Sequence, residues 1–193
     1  MVTSLDGSIA VDGESGSLGN PNDLEVLLTL RSMADMIIVG AGTASGEGYG
    51  PPAKTGQRIG VATDSGNVDL DTELFTSGAG FVITNESTVV DERRVDVLRA
   101  GHERLDIAAA VARLTEIDPR VTYVQAEGGA SFNGSLLDHD LIDELDLTVS
   151  PHLVGGAGKR LTAGATEALR RFELAHLLAD SDGFVFSRWL RAC

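Results

Sequence analysis

The run Met36-Ile37-Ile38-Val39, followed at once by Gly40-Ala41-Gly42-Thr43, constrains this chain more than any other segment. So short a continuous apolar run leaves no polar face, and it predicts a strand covered on both sides, as in a parallel sheet packed between helices. Ile59 to Thr63 and Phe81 to Thr84 read as further short strands, and Val121 to Ala126 as another buried one. Of the 23 glycines, 11 cluster at 40–50, 128–134 and 155–158, each group behind an apolar run. Glycine in that place marks either a tight turn or backbone that a ligand approaches closely.

Helices are expected between these strands. Asn20-Pro21-Asn22-Asp23 opens one, with Asn20 as cap, Pro21 in the first turn and Asp23 near the positive end of the dipole. Leu24, Leu27, Leu28 and Ala34 mark its apolar face. A second helix is predicted over Asp106 to Leu114, capped by Asp106, with Ile107, Val111 and Leu114 turned inward, and a third over Ser131 to Leu137. Met1 to Leu5 reads as a strand. An opening in mid-strand suggests that Met1 is not the native start, and no basic head with an apolar core, as in a secretory leader, precedes it.

Beyond residue 144 the period changes. Leu145, Leu147 and Val149 alternate with polar residues, as do Phe172, Leu174 and His176, then Phe184, Phe186 and, less cleanly, Trp189. Ser181-Asp182-Gly183 is a hairpin turn signal. The whole predicts a single α/β domain over 1–193, with a mostly parallel central sheet and an antiparallel finish.

Composition narrows the partners. With 29 acidic against 15 basic residues the net charge is −14, which argues against general binding of nucleic acid or anionic membrane. No apolar run approaches the ~20 residues of a membrane helix. Cys193 is the one cysteine, so neither an internal disulfide nor a cysteine metal cluster is expected, a usage that fits a reducing cytoplasm. The four histidines, His102, His139, His152 and His176, are scattered without metal-ligand spacing.

Open α/β sheets bind ligands at the carboxyl ends of their strands, and two segments have chemistry for that. Gly40-Ala41-Gly42-Thr43 reads either as a turn or as a loop whose amides and Thr43 hydroxyl face an anion; its glycine spacing misses the dinucleotide fingerprint. Glu127-Gly128-Gly129-Ala130-Ser131 joins a strand to a helix whose free amides suit a pyrophosphate. A carboxylate ending a buried strand needs a partner, so Glu127 is expected to contact a ligand or an arginine. Gly155-Gly156-Ala157-Gly158-Lys159-Arg160 lacks the first glycine and the Ser or Thr of a phosphate loop and reads as a turn. Arg31 and Lys54 are the candidate cations for an anionic ligand, with a surface salt bridge as the plainer reading of Lys54.

Ser4-Leu5-Asp6-Gly7, Gly13-Glu14-Ser15, Leu30-Arg31, Ile38-Val39-Gly40-Ala41-Gly42-Thr43, Glu127-Gly128-Gly129, and Asp143-Glu144-Leu145 through Ser150-Pro151-His152-Leu153-Val154-Gly155-Gly156 occur in order. Together they resemble the C-terminal reductase domain of the bifunctional riboflavin-biosynthesis deaminase/reductase, over nearly the whole chain. The resemblance implies a dihydrofolate-reductase-like fold, with helices on both faces of the sheet. It also implies NADPH-dependent reduction of 5-amino-6-(5-phosphoribosylamino)uracil to its ribitylamino product, by hydride transfer to the ring-opened imine. No metal is implied, and a homodimer is.

Carried over by position, the resemblance places Val2, Thr3 and Ser4 on the nicotinamide side, Ser17, Gly40, Thr43 and Glu47 on the cofactor, and Ser65 at its adenosine end. It places Gly128, Gly129, Ala130, Ser131, Phe132, Asn133, Gly134 and Ser135 around the pyrophosphate. Ser15, Arg31 and Glu127 would hold substrate, Arg31 toward its phosphate and Glu127, the catalytic candidate, toward the sugar. The chain departs from the family at Glu47-Gly48-Tyr49-Gly50-Pro51, where Asp-Asp/Asn-Pro is usual, and it carries no zinc-binding deaminase domain. A pterin or other heterocycle reductase, and a dinucleotide-binding protein without turnover, are the alternative readings.

Overall fold

The computed structural model describes residues 1–192; Cys193 lies outside the described residues. In chain order the elements are β1 (Val2–Thr3), α1 (Pro21–Met33), β2 (Met36–Gly40), α2 (Ala41–Gly46), β3 (Arg58–Ala62), α3 (Glu73–Thr76), β4 (Gly80–Thr84) and β5 (Asp96–Arg99). Then follow α4 (Ile107–Ala112), β6 (Val124–Ala126), α5 (Ala130–Asp138), β7 (Glu144–Val149), β8 (Phe172–Ala179) and β9 (Val185–Arg191). The strands form two sheets. One is parallel throughout, in the order β5-β4-β3-β2-β6; the other is mixed, in the order β1-β7-β9-β8.

The apolar run at Met36–Val39 is buried in the middle of the parallel sheet, as its composition requires. Its alternate side chains feed two cores. Met36 and Ile38 join Phe81, Ile83 and Leu98 under α4 and α5, through Ile107, Ala110, Phe132 and Leu136. Ile37 and Val39 join Ile59, Val61 and Val82 on the other face, against Leu74 and Phe75 of α3 and the flank of α2. Each such side chain withdrawn from water contributes roughly 1.5–3 kcal/mol before entropy is counted. The expected layering of helices on both faces therefore holds.

Local signals also hold. The Asn20 side chain accepts the Asp23 amide at 2.9 Å and Asp106 accepts that of Ala109 at 2.9 Å, so both caps form as read. The β8–β9 turn closes through Asp180 and Phe184, with Gly183 at φ +86°, a left-handed conformation that glycine adopts without a Cβ clash.

Several expectations are corrected. The α1 face does not bury: Leu24, Leu28 and Met33 are exposed, Leu27 and Leu30 edge the cleft described below, and only Ala34, past the helix, is fully buried. Gly40-Ala41-Gly42-Thr43 is neither the turn nor the loop expected, since α2 begins at Ala41. The strand expected over 121–126 shrinks to Val124–Ala126 and is not buried, because it ends the sheet and its open side borders the cleft. Neither α3 nor β5 was anticipated. Among the described residues no helix is long and apolar enough to cross a membrane.

Candidate active site

Strand order creates the site. From β2 the chain goes to β3 on one side, and it returns much later to lay β6 on the other. The segment leaving β2 enters α2 on one face of the sheet, and the segment leaving β6 enters α5 on the opposite face. The carboxyl ends of β2 and β6 thus flank the crevice where parallel sheets take ligands. A cleft of about 1530 Å³ opens there, larger than the ~300–1,000 Å³ that holds one small ligand.

Its floor is backbone. Gly40 donates its amide to the carbonyl of Gly128 at 2.7 Å, tying the two strand ends together, and the Gly128–Gly129 peptide is cis. A Cβ on Gly129 would fall 2.6 Å from the Thr43 hydroxyl, so only glycine permits that approach. The first turn of α5 has no side-chain cap, which leaves amides of the turn beginning at Ala130 without intrahelical partners.

One wall carries charge. Glu127, buried at the end of β6, is met by four donors. Arg31 of α1 donates Nε to Oε1 at 2.7 Å and Nη2 to Oε2 at 2.6 Å. The Tyr49 hydroxyl donates to Oε2 at 2.5 Å and Gln125 Nε2 to Oε1 at 2.8 Å. The Arg31 guanidinium also lies 5.2 Å from the Tyr49 ring centroid. The hydrogen bonds to Glu127 hold Arg31 above the usual arginine range, and burial first, then the neighbouring carboxylate, pushes the Tyr49 phenol up. Nη1 of Arg31 has no protein hydrogen bond among the described residues.

Of the sequence candidates, Val2, Ser15, Arg31, Gly40, Thr43, Glu47, Glu127, Gly129, Ala130, Ser131, Phe132, Asn133 and Ser135 line this cleft. Glu47 accepts the Ser15 amide at 3.1 Å and so joins the end of α2 to the N-terminal loop. Thr3 and Ser4 lie off the lining, their hydroxyls turned into the 3–8 turn: Thr3 Oγ1 donates to the Ser8 carbonyl and Ser4 Oγ to Asp6. Gly128 and Gly134 lie beneath the lining, and Ser17 and Ser65 are exposed beside it. Lys54 is not at the cleft. Its ammonium donates to the Ala34 carbonyl at 2.7 Å and holds the end of α1 together with Gln57, in place of the surface ion pair expected of it. Tyr49 escaped the sequence reading, although an aromatic residue within a glycine-rich turn was the available signal.

A parallel sheet with its cleft at the β2/β6 crossover, joined to a mixed sheet that closes the N-terminal strand, defines an α/β domain of the dihydrofolate-reductase-like class. The chain belongs to the RibD C-terminal domain family, whose model matches residues 1–186. It is 28% identical over 172 residues to the 2,5-diamino-6-ribosylamino-4(3H)-pyrimidinone 5′-phosphate reductase of Methanothermobacter thermautotrophicus, covering 81% of this chain and 77% of that one. A pyrimidine reductase-like protein from Corynebacterium diphtheriae superposes with a TM-score of 0.87 at 26% identity, covering all of this chain and 90% of that one. The riboflavin biosynthesis reductase Rib7 of Saccharomyces superposes at 0.76 with 21% identity over 99% and 87% of the two chains, a likeness of fold.

Proposed function

We propose that this chain is an NADPH-dependent reductase of riboflavin biosynthesis, acting on a phosphoribosylamino-pyrimidine. The observation that carries the reading is the meeting, in one cleft, of the Arg31–Glu127 pair with the uncapped first turn of α5. The substrate favoured by the resemblance is 5-amino-6-(5-phosphoribosylamino)uracil. A second form, the 2-amino pyrimidinone, is favoured by the name of the Methanothermobacter relative.

The cleft fits a dinucleotide and a substrate together. Thr43 closes over a glycine floor that a Cβ would fill, and the bare amides at the start of α5 suit a pyrophosphate. When bound, NADPH supplies a hydride. Arg31 offers its free Nη1 to the substrate phosphate, a charge-assisted contact that the net charge of the chain otherwise opposes. Glu127 is already surrounded by donors, so a sugar hydroxyl reaches it by replacing the Tyr49 hydroxyl or the Gln125 amide. At the substrate, the C=N bond of the ring-opened imine gains the hydride at carbon and a proton at nitrogen. The chain contributes alignment of the reactants and exclusion of water. The single cysteine fits a cytoplasmic setting.

Loss of NADPH absorbance, followed with the uracil substrate, its 2-amino counterpart and dihydrofolate, tests the reading. Turnover with either phosphoribosylamino compound and none with dihydrofolate is expected, and the faster of the two identifies the substrate. Turnover with dihydrofolate alone would make the chain a pterin-type reductase. NADPH binding without turnover would make it a sensor.

The same proposal includes a homodimer. β8 ends its sheet with Leu174, Leu177 and Leu178 exposed; Asn20 and Asn22, at the start of α1, bind Asp180 just past that strand, and Leu24 and Leu28 of α1 are exposed as well. An open edge strand beside apolar side chains is a surface that soluble chains ordinarily cover. Light scattering is expected to give twice the 20.2 kDa chain mass; a monomer at micromolar concentration would sink this part.

A further inference from the structure

Among the described residues one buried side-chain polar atom has no hydrogen-bond partner: Oε1 of Gln125. Buried amide oxygens are nearly always paired, because a bare one keeps its desolvation cost with no bond to offset it. Gln125 lines the cleft beside Glu127. The usual remedy is closed to it. Turning the amide over would exchange oxygen for nitrogen, but Nε2 donates to Glu127 Oε1 at 2.8 Å, and a carboxylate held by Arg31 only accepts. The charge on Glu127 therefore fixes which end of the Gln125 amide stays bare.

Backbone geometry puts the two residues on one face. Gln125 stands opposite Ile37 in the β2–β6 ladder, and the Glu127 amide continues that ladder by donating to the Ile38 carbonyl at 3.0 Å. Two positions apart on an extended chain, both side chains project to the same side. The oxygen and nitrogen of one amide lie ~2.3 Å apart, so the bare oxygen is at most about 5 Å from the Glu127 carboxylate. Two acceptors that close suit two adjacent hydroxyl groups, each donating to one of them.

We propose that Gln125 is a specificity residue for the substrate's sugar: its Oε1 accepts one hydroxyl of a vicinal diol whose other hydroxyl donates to Glu127, so that the site selects a ribose chain over a deoxyribose chain. The inference rests on the reading of this cleft as the site of a phosphoribosylamino-pyrimidine. Of the donors on Glu127, the Tyr49 hydroxyl is the one that gives way to the sugar. Tyr49 stands between Gly48 and Gly50 on a segment outside any helix or strand, and its withdrawal leaves the Gln125 amide aligned. Displacing the Gln125 amide instead would strip its nitrogen of a partner as well as its oxygen. A site that holds a bare acceptor for a hydroxyl rejects the analogue lacking it, because the acceptor then stays unpaired in the complex.

The test is kcat/KM at saturating NADPH for the phosphoribosylamino substrate and for its 2′-deoxy and 3′-deoxy counterparts. The full chain is compared with Gln125→Met, which keeps the length of the side chain without its polar atoms, and with Gln125→Leu in case the thioether packs poorly. The wild type is expected to prefer the ribose compound to each deoxy compound by about tenfold or more. In Gln125→Met one of those two preferences is expected to collapse to within about threefold while the other persists, with NADPH affinity moved by less than about threefold. Equal losses on all three compounds would reduce Gln125 to a support for Glu127, and undiminished activity would mean that its oxygen meets only water; either overturns the assignment. Unchanged sugar preferences with a lost distinction between the uracil and 2-amino forms would place the base on Gln125 and also overturn it. In these cases the reductase stands and this inference alone is removed. A wild type that turns over none of the phosphoribosylamino compounds would remove both.

Discussion

Arg31→Ala is expected to cost about 2–4 kcal/mol of stability and to raise KM for a phosphorylated substrate about tenfold or more, with little change in the affinity for dinucleotide. The Glu127 side chain is 5% exposed, so removing its bidentate partner leaves a buried charge with only Tyr49 and Gln125 as donors. Breaking a fully buried pair costs about 3–5 kcal/mol; the figure is lower here because Arg31 itself is 29% exposed at an open cleft. Arg31→Lys restores the charge without the planar fork and should recover stability only in part. Denaturant unfolding and steady-state kinetics read the two effects separately. If KM for NADPH rises as much as KM for substrate, Arg31 does not hold the substrate phosphate.

The second large effect is Gly134→Ala. An exposed helical glycine replaced by alanine gains up to about 1 kcal/mol of helix propensity. Here the sign reverses, because the new Cβ would strike the Ala163 carbonyl oxygen and approach its carbonyl carbon to 3.1 Å. The Ala163 amide donates to the Ala130 carbonyl and Asn133 Nδ2 to the Leu161 carbonyl, both at 2.9 Å, so the 161–163 segment is pinned to α5 where the methyl group arrives. A loss of about 3 kcal/mol is expected, the upper end for overpacking, because backbone rather than a side chain must yield. Leu161 and Thr162 line the cleft, so dinucleotide affinity should fall with stability. A variant as stable as the wild type in thermal unfolding would show that this contact carries no load.

Features that depend on neighbours in sequence were legible in the chain itself. The Asn20 and Asp106 caps, the Gly183 turn and the buried run at Met36–Val39 each follow from a few adjacent residues. Features set by distant packing were not. The leucines of α1 carry a helical period, yet among the described residues nothing covers Leu24 and Leu28. β5 has four residues of which only Leu98 is buried, too little to mark a strand at a sheet edge. At the site, the demand of Glu127 for a partner was readable from its place at the end of an expected strand, and Glu127 is indeed buried although β6 before it is not. That the partner would be Arg31, and that Tyr49 would join it, depended on the approach of α1 and the segment after α2, which no local pattern encodes.

The order of strands also sets when this protein becomes able to bind. β2 to β5 pair with sequence neighbours and are free to assemble as they leave the ribosome, whereas β2 pairs with β6 across the long stretch from Met36 to Val124, and β1 with β7 across that from Val2 to Thr148. Such long loops delay closure, since their entropy is lost before the contacts compensate. A nascent chain released before β6 would therefore hold much of the core with half of the cleft missing. Ligand affinity appears last in synthesis, and its acquisition by a growing chain would time the completion of the fold.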